Sequence, residues 1–189
     1  MYRPPDSALS LWGVLLGTVV AFIYFMQLYA MDQAMKVDQR AWVGPMNVRH
    51  MHTTPGTAVR VQLALTNIGK TPAFVSSIQK NSLFIDGDLM ELPRDSALER
   101  DFSGRAVIFP GQAGMGIDIP APDYSDADLN AIRNHRKTLN FYGTVEYGDI
   151  FGKQHFTKFC YHYVVTWGPV PFEGLTSCKA YNDADHTEP

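Results

Sequence analysis

The chain lacks the features by which enzymes and nucleic-acid-binding proteins are usually recognised. It contains no GxSxG, HExxH or CxxC motif, no phosphate-binding loop and no dinucleotide-binding fingerprint, which argues against the common hydrolases, metalloproteases, redox proteins and nucleotide-binding enzymes. Its 16 Lys and Arg residues against 19 Asp and Glu residues provide no basic excess for nucleic acid. We therefore predict a non-enzymatic protein without a nucleic-acid partner.

Cysteine is scarce, with Cys160 and Cys178 as the whole supply. In an exported domain an even pair favours a disulfide, whereas in the cytosol the same pair favours two buried thiols. A bridge would join a predicted strand to a tail rich in Pro and Gly, and it would stabilise the fold by roughly 3 kcal/mol. Both states remain open on the sequence alone.

Charge is absent from one long segment near the N-terminus. Residues 8–31 form an apolar run of 24 residues between Asp6 and Asp32. A bilayer core of about 30 Å needs roughly 20 apolar helical residues, so this run predicts a transmembrane helix. Trp12 and Tyr29 lie near its ends, where amphipathic rings favour the membrane interface. A cleaved signal peptide is the competing interpretation, but its apolar region is usually about 7–15 residues long and follows a basic start.

Small residues recur along this helix at Gly13, Gly17 and Ala21. Such a stripe lets a second helix approach closely, so it predicts an integral-membrane partner in addition to contact with the lipid bilayer. The alternative is that these residues reflect only the ordinary frequency of Gly in membrane helices.

The charges that flank the helix do not decide its orientation. Arg3 precedes it, and Lys36, Arg40 and Arg49 follow it, which by the positive-inside rule favours a cytoplasmic tail. Long domains translocate largely regardless of flanking charge, however. We expect an exported tail.

The remainder of the chain has the periodicity of β-strands. Residues 57–67 alternate strictly, with Val61, Leu63 and Leu65 on one face, as in a half-buried antiparallel strand. Gly44 and Pro45 interrupt the first strand, which predicts an edge position or a bulge. Ser125 and Asp128 have the spacing of a capping box at the start of the single predicted crossover helix.

About seven short strands with turns between them and one short helix predict a mainly β chain, an N-terminal transmembrane helix followed by an immunoglobulin-like β-sandwich. The predicted organisation is a short tail over 1–7, the transmembrane helix over 8–31, a helical stalk over 32–40, the β-sandwich over 41–180 and a frayed acidic tail over 181–189.

Two pairs of side chains could bind a metal. His50 and His52 point to the same face of a predicted strand, and Cys160 and His162 share a face of a later one. Imidazole and sulfur ligands suit copper. The alternatives are two surface histidines near a strand end, a bridged or buried Cys160 and a packed His162.

A predicted hairpin carries a second candidate site. Ile150 and Phe151 lie at its tip, where they either cap the core or contact a partner or the bilayer surface. Glu146, Asp149 and His155 flank the turn and could act as acid and base groups, although ordinary turn chemistry also explains Asp149.

Four phrases of the chain are distinctive when taken together: Gln39-Arg-Ala-Trp-Val43, Asn67-Ile-Gly-Lys-Thr-Pro-Ala73, Tyr147-Gly-Asp-Ile-Phe-Gly152 and His155-Phe-Thr-Lys-Phe-Cys-Tyr161. They resemble a loose group of uncharacterised bacterial proteins with one N-terminal membrane helix and a small β domain. The resemblance covers most of the chain after the helix. It implies this architecture and a bacterial source, and it implies no activity.

In plan, the chain is also similar to the copper-delivery proteins of cytochrome oxidase assembly, which have one N-terminal helix and an immunoglobulin-like domain outside the inner membrane. Their copper site is a Cys-x-Cys pair, whereas Phe159-Cys-Tyr-His162 in this chain offers one cysteine. The sequence therefore predicts a single-pass accessory or assembly subunit of a bacterial inner-membrane complex with a periplasmic β domain. A periplasmic copper chaperone is the first alternative, and an enzyme with an unrecognised site is the second.

Overall fold

A computed structural model describes residues 6–51, 60–86, 98–166 and 172–185, with side chains for 12–49, 60–86, 98–165 and 174–185. The chain divides into two compact units, Met1–Gln39 and Arg40–Pro189. The described chain is mainly β, with an N-terminal apolar helix and one further helix.

The first unit contains helix α1, Asp6–Asp38. Its apolar part is long enough to span a membrane, and none of the window within Trp12–Asp38 is buried inside the chain. The helix continues through the predicted stalk to Asp38, where Lys36 pairs with Asp32 at 2.6 Å one turn earlier.

The second unit contains nine strands and helix α2 within the described residues. The elements are β1 (Val43–Met51), β2 (Arg60–Asn67), β3 (Ala73–Asp86), β4 (Glu99–Ile108), β5 (Ala113–Pro120), α2 (Asp126–Arg133), β6 (Lys137–Gly148), β7 (Gln154–Thr166), β8 (Phe172–Ser177) and β9 (Asp183–Ala184).

These strands form two antiparallel sheets. One has three strands in the order β1-β2-β5, and the other has six, in the order β4-β3-β6-β7-β8 with β9 beside β7. Strand β2 shows why they pack: Val61, Leu63 and Leu65 are fully buried, and the residues between them face outward. The apolar side chains of both sheets join in one core, which includes Ile78, Phe141, Val145, Tyr147 and Phe159.

Local signals in the sequence account for the element ends. The interruption at Gly44 and Pro45 falls in β1, an edge strand whose register shifts between Met46 and Arg49. The predicted capping box starts α2: the Ser125 side chain accepts from Asp128 N–H, and the Asp128 carboxylate accepts from Ser125 N–H at 2.9 Å.

The predicted frayed tail requires a correction. Residues 183–184 form β9, and Asp185 N–H donates to Phe156 O at 3.2 Å. A frayed tail over 181–189 is therefore wrong for its first five residues, because polar side chains and backbone groups fasten them to β7. Residues 186–189 lie outside the described part of the chain.

Candidate interaction site

Three loops and the start of the second unit lie together at one end of its sheets, which we call the rim end: residues 40–42, 67–72, 108–112 and 149–153. Ile68 N–H donates to Trp42 O and Gly111 N–H donates to Asn67 O, both at 2.8 Å. Phe74 pairs with Gly148 on one side and with Val107 on the other, which brings the third loop beside the first two. Helix α2, between the ends of β5 and β6, marks the opposite or far end.

Asn67 is the centre of the rim end. Its Oδ1 accepts from Trp42 N–H at 3.1 Å and from Gly69 N–H at 2.9 Å. Its Nδ2 donates to Thr71 O at 2.7 Å and to Ile108 O at 3.0 Å. The side chain is fully buried. One amide thus joins three segments of backbone, and its two donors and its acceptor oxygen are all used.

The first residues of the unit run close against Gly69. A Cβ at Gly69 would lie 2.5 Å from both Arg40 O and Trp42 N, so a larger residue cannot fit without backbone movement. Arg40 itself is 3% exposed, and its guanidinium carbon lies 3.3 Å from the centre of the Trp42 ring. Within the described residues its Nε and Nη1 make no hydrogen bond, so the ring face is a main contact of this cation.

The hairpin tip is built on Asp149. Its Oδ1 accepts from Phe151 N–H at 2.8 Å and from Lys153 N–H at 3.0 Å, and Gly152 takes the left-handed conformation that the turn requires. Ile150 projects outward, whereas Phe151 is half-buried. Ile150 therefore offers more contact surface than Phe151.

His155 lies beneath this tip between two carboxylates. Its Nε2 is 2.9 Å from Asp149 Oδ2, and its Nδ1 contacts Asp185 Oδ2. Phe156 N–H donates to the other Asp185 oxygen at 3.1 Å. Both nitrogens of the imidazole ring thus lie against carboxylate oxygens. The arrangement fastens the tail to the hairpin.

Burial and hydrogen bonds shift the pKa values of two side chains near His155. Burial acts to raise the pKa of the Asp149 carboxyl, but hydrogen bonds from His155 and from the N–H groups of Lys153 and Phe151 outweigh it and leave the pKa below its ordinary value. Burial raises the pKa of the neighbouring Tyr147 phenol, against opposing hydrogen bonds with Val43 and Thr157. At neutral pH the Asp149 carboxyl is therefore ionised and the Tyr147 phenol is neutral.

Of the acid and base groups suggested by the sequence, the structure brings Asp149 and His155 together. Glu146 is exposed on β6, opposite Ser77 and Phe156. Sequence reasoning missed Asp185 as the second carboxylate because it is 30 residues from His155. It also missed Asn67 and Arg40 as structural residues, although both lie in phrases that carry the resemblance.

A disulfide joins Cys160 of β7 to Cys178 in the structure, with their Cα atoms 5.3 Å apart. Asn182 strengthens the same junction, because its Oδ1 accepts from Cys160 N–H and its Nδ2 donates to Cys178 O, both at 2.8 Å. The Tyr181 ring packs edge-on against Tyr142. The tail is thus held both at mid-strand and at the rim end.

The disulfide bears on the predicted metal set. A sulfur bonded to Cys178 is not a thiolate, so Cys160 cannot serve as a ligand in this state. His162 is buried on the same strand. His50 lies on β1 in the other sheet, but the structure describes only its backbone. His52 lies outside the described residues. Within the described part of the chain, no three His, Cys, Asp or Glu side chains are grouped to hold a metal ion.

The small residues of α1 leave an open face on the helix. A Cβ at Gly13 or at Gly17 would meet nothing within 4 Å, and Ala21 is exposed. Among the described residues, none therefore lies against the two glycines.

No protein-family model and no curated protein sequence matches this chain.

Proposed function

We propose that the chain is a non-enzymatic, membrane-anchored interaction protein, an accessory or assembly subunit of a larger bacterial inner-membrane complex. The observation that carries the proposal is the contrast between the two units. The apolar window of α1 has no buried residue within the chain, whereas the β unit has a core of its own. An apolar helix of this kind needs lipid or other helices around it.

The helix docks on an integral-membrane partner through Gly13, Gly17 and Ala21. Open space at both glycines supports close approach by a second helix, because a backbone without side chains allows short interaxial distances. The β unit then contacts the extramembrane part of the complex.

The proposal includes a single-pass topology with the β unit in the periplasm. The Cys160–Cys178 disulfide supports this side of the membrane, because such bonds persist in oxidising compartments. It also includes an immunoglobulin-like sandwich for the β unit. The orders β1-β2-β5 and β3-β6-β7 correspond to strands A-B-E and C-F-G of that architecture.

The experiment is isolation of the intact protein from its native membrane in mild detergent, with mass spectrometry of whatever remains bound. The variants are Gly17→Leu and, as a matched control, Ala30→Leu, which adds bulk on the opposite helix face. Positions 17 and 30 are thirteen residues apart, and about 100° per residue places them roughly 140° apart around the helix. We expect a stoichiometric membrane protein with the wild type and with Ala30→Leu, and its loss with Gly17→Leu.

Two results would contradict the proposal. The wild-type protein could emerge alone, or Gly17→Leu and Ala30→Leu could retain the same partner equally well. Far-ultraviolet circular dichroism of each purified variant checks that the β unit is still folded.

A further inference from the structure

We infer that the rim end of the β unit docks on the surface of an anionic lipid bilayer. The inference rests on the proposed membrane anchor and adds to it a specific contact between named loops and lipid headgroups.

Each rim loop presents one large apolar side chain to solvent. Ile68 is 72% exposed, Phe109 is 53% exposed and Ile150 is 51% exposed. They belong to different loops, so the pattern arises three times independently along the chain. Apolar side chains at adjacent loop tips form a patch that is unfavourable in water and favourable in the interfacial region of a membrane.

The apolar patch continues onto the flanking surface. Phe74 and Val107 are cross-strand partners on β3 and β4, and both are exposed. Trp42, partly exposed above the Arg40 guanidinium, adds an amphipathic ring of the type enriched at membrane interfaces.

The charges of the same loops complement anionic headgroups. Lys70 and Lys153 are both exposed, one in the first loop and one in the third. The nearby carboxylates of Asp149 and Asp185 are largely buried against His155. The described rim loops therefore present cations and apolar side chains outward, with no exposed carboxylate among them. Anionic lipid attracts such lysines.

The covalent path from the apolar run to the rim end is short. Arg40 opens the β unit at the rim end, and residues 32–39 alone separate it from Met31, the last residue of the uncharged run. Eight helical residues span about 12 Å. Chain length thus permits the loops to reach the headgroup region of the bilayer that the helix crosses, which favours lipid over a distant protein surface.

The test uses the full chain in proteoliposomes without any partner protein. A nitroxide is attached to a cysteine introduced by Ile68→Cys or Ile150→Cys, or by Ala127→Cys on exposed α2 as the far-end control. The native cysteines are joined to each other and do not react. Paramagnetic resonance then compares collision of each label with oxygen, which enriches in lipid, and with a water-soluble nickel chelate.

In vesicles containing phosphatidylglycerol, we expect the labels at 68 and 150 to lie about 5–10 Å into the headgroup and acyl boundary, with the label at 127 in water. In vesicles of phosphatidylcholine alone, the labels at 68 and 150 should lie at a shallower depth. Lys70→Glu and Lys153→Glu should each lower the ratio of docked to undocked molecules by at least about fivefold.

Failure of docking and failure of the anchor give different results. If the protein floats with the vesicles while the labels at 68 and 150 meet the nickel chelate as often as the label at 127, docking is wrong and the anchor stands. In that outcome the apolar patch would instead be assigned to contact with a protein partner. If the protein does not float with the vesicles, both proposals are overturned.

Discussion

The two ends of the β unit differ in where their polar side chains lie. At the rim end, Asn67 and Asp149 turn inward and bind the backbone of their own loops, and the outward side chains include Ile68 and Ile150. At the far end, α2 is held by a surface cap and by an ion pair of 2.7 Å between Lys137 and Asp128. A loop whose backbone is satisfied from inside needs no polar surface, so its tip is free to be apolar.

Asn67→Ala should produce the largest loss of stability, because it leaves Trp42 N–H, Gly69 N–H and two carbonyl groups without their partner. We expect the free energy of unfolding to fall by about 3–5 kcal/mol. Urea titration of the full chain in detergent, followed by aromatic fluorescence, measures it. The far-end control is Asn134→Ala, which removes one exposed hydrogen bond and should cost less than about 1 kcal/mol. Equal losses of stability at the two positions would contradict the assigned difference between the two ends.

Removal of the disulfide should give the second-largest loss of stability. It tests whether the rim end depends on the covalent link between β7 and the tail. Cys160→Ala with Cys178→Ala opens a connection across 18 residues and should cost roughly 3 kcal/mol. We expect reduction of the wild-type protein to shift its urea midpoint in the same direction. An unchanged midpoint after verified reduction would show that the Asn182 and His155 contacts hold the tail alone.

The pH dependence of the Asp149→Asn effect on stability tests the same comparison. The lowered pKa means that the ionised carboxylate stabilises the fold above its unfolded value of about 3.9, and that this stabilisation is lost as pH falls through the lower folded value. The variant should therefore be less stable by about 2 kcal/mol at pH 7, with the difference shrinking below about pH 4.

Urea titrations from pH 3 to pH 7 measure this effect, with Asp123→Asn on the exposed far-end surface as the matched control. A difference between Asp149→Asn and wild type that stayed constant across this range would argue against stabilisation by the ionised Asp149 carboxylate.

The smallest effect is expected at the far end itself. Lys137→Gln removes the partner that, together with hydrogen bonds from Ser125, keeps the pKa of Asp128 low. The pair lies near the surface, where water and salt screen it, so the change in unfolding free energy should be smaller than those of Asn67→Ala, disulfide removal and Asp149→Asn. A loss as large as that of Asn67→Ala would contradict the assigned difference between the ends.

Local patterns were sufficient to predict much of the fold. The hairpin of β6 and β7, with Ile150 and Phe151 at its tip, was predicted because a hairpin depends on neighbours in sequence. Gly44 and Pro45 indicated an irregular edge strand for the same reason. The first residues of the tail were assigned wrongly, because β9 depends on a pairing with residues 157–158 that the two-residue strand does not signal.

The polar clusters were harder to predict than the strands. Asp149 and His155 are close in sequence and were noticed, whereas Asp185 reaches His155 only after the tail has folded back. Asn67 looks like an ordinary turn residue in the sequence. Its buried position depends on contacts such as the hydrogen bond to Ile108 O, 41 positions later. Periodicity places apolar side chains on strands, but it does not tell whether Ile150 at a loop tip is inside or outside.

The most direct test of the account is hydroxyl-radical footprinting of the intact protein in lipid nanodiscs cut from its native membrane, compared with the same protein in detergent. Such particles keep whatever covers the rim end, lipid or partner. The account predicts that oxidation of Ile68, Phe109 and Ile150 falls in the nanodiscs while that of Tyr124 and Leu129 at the far end stays unchanged. Equal oxidation of both ends in the two preparations would contradict it.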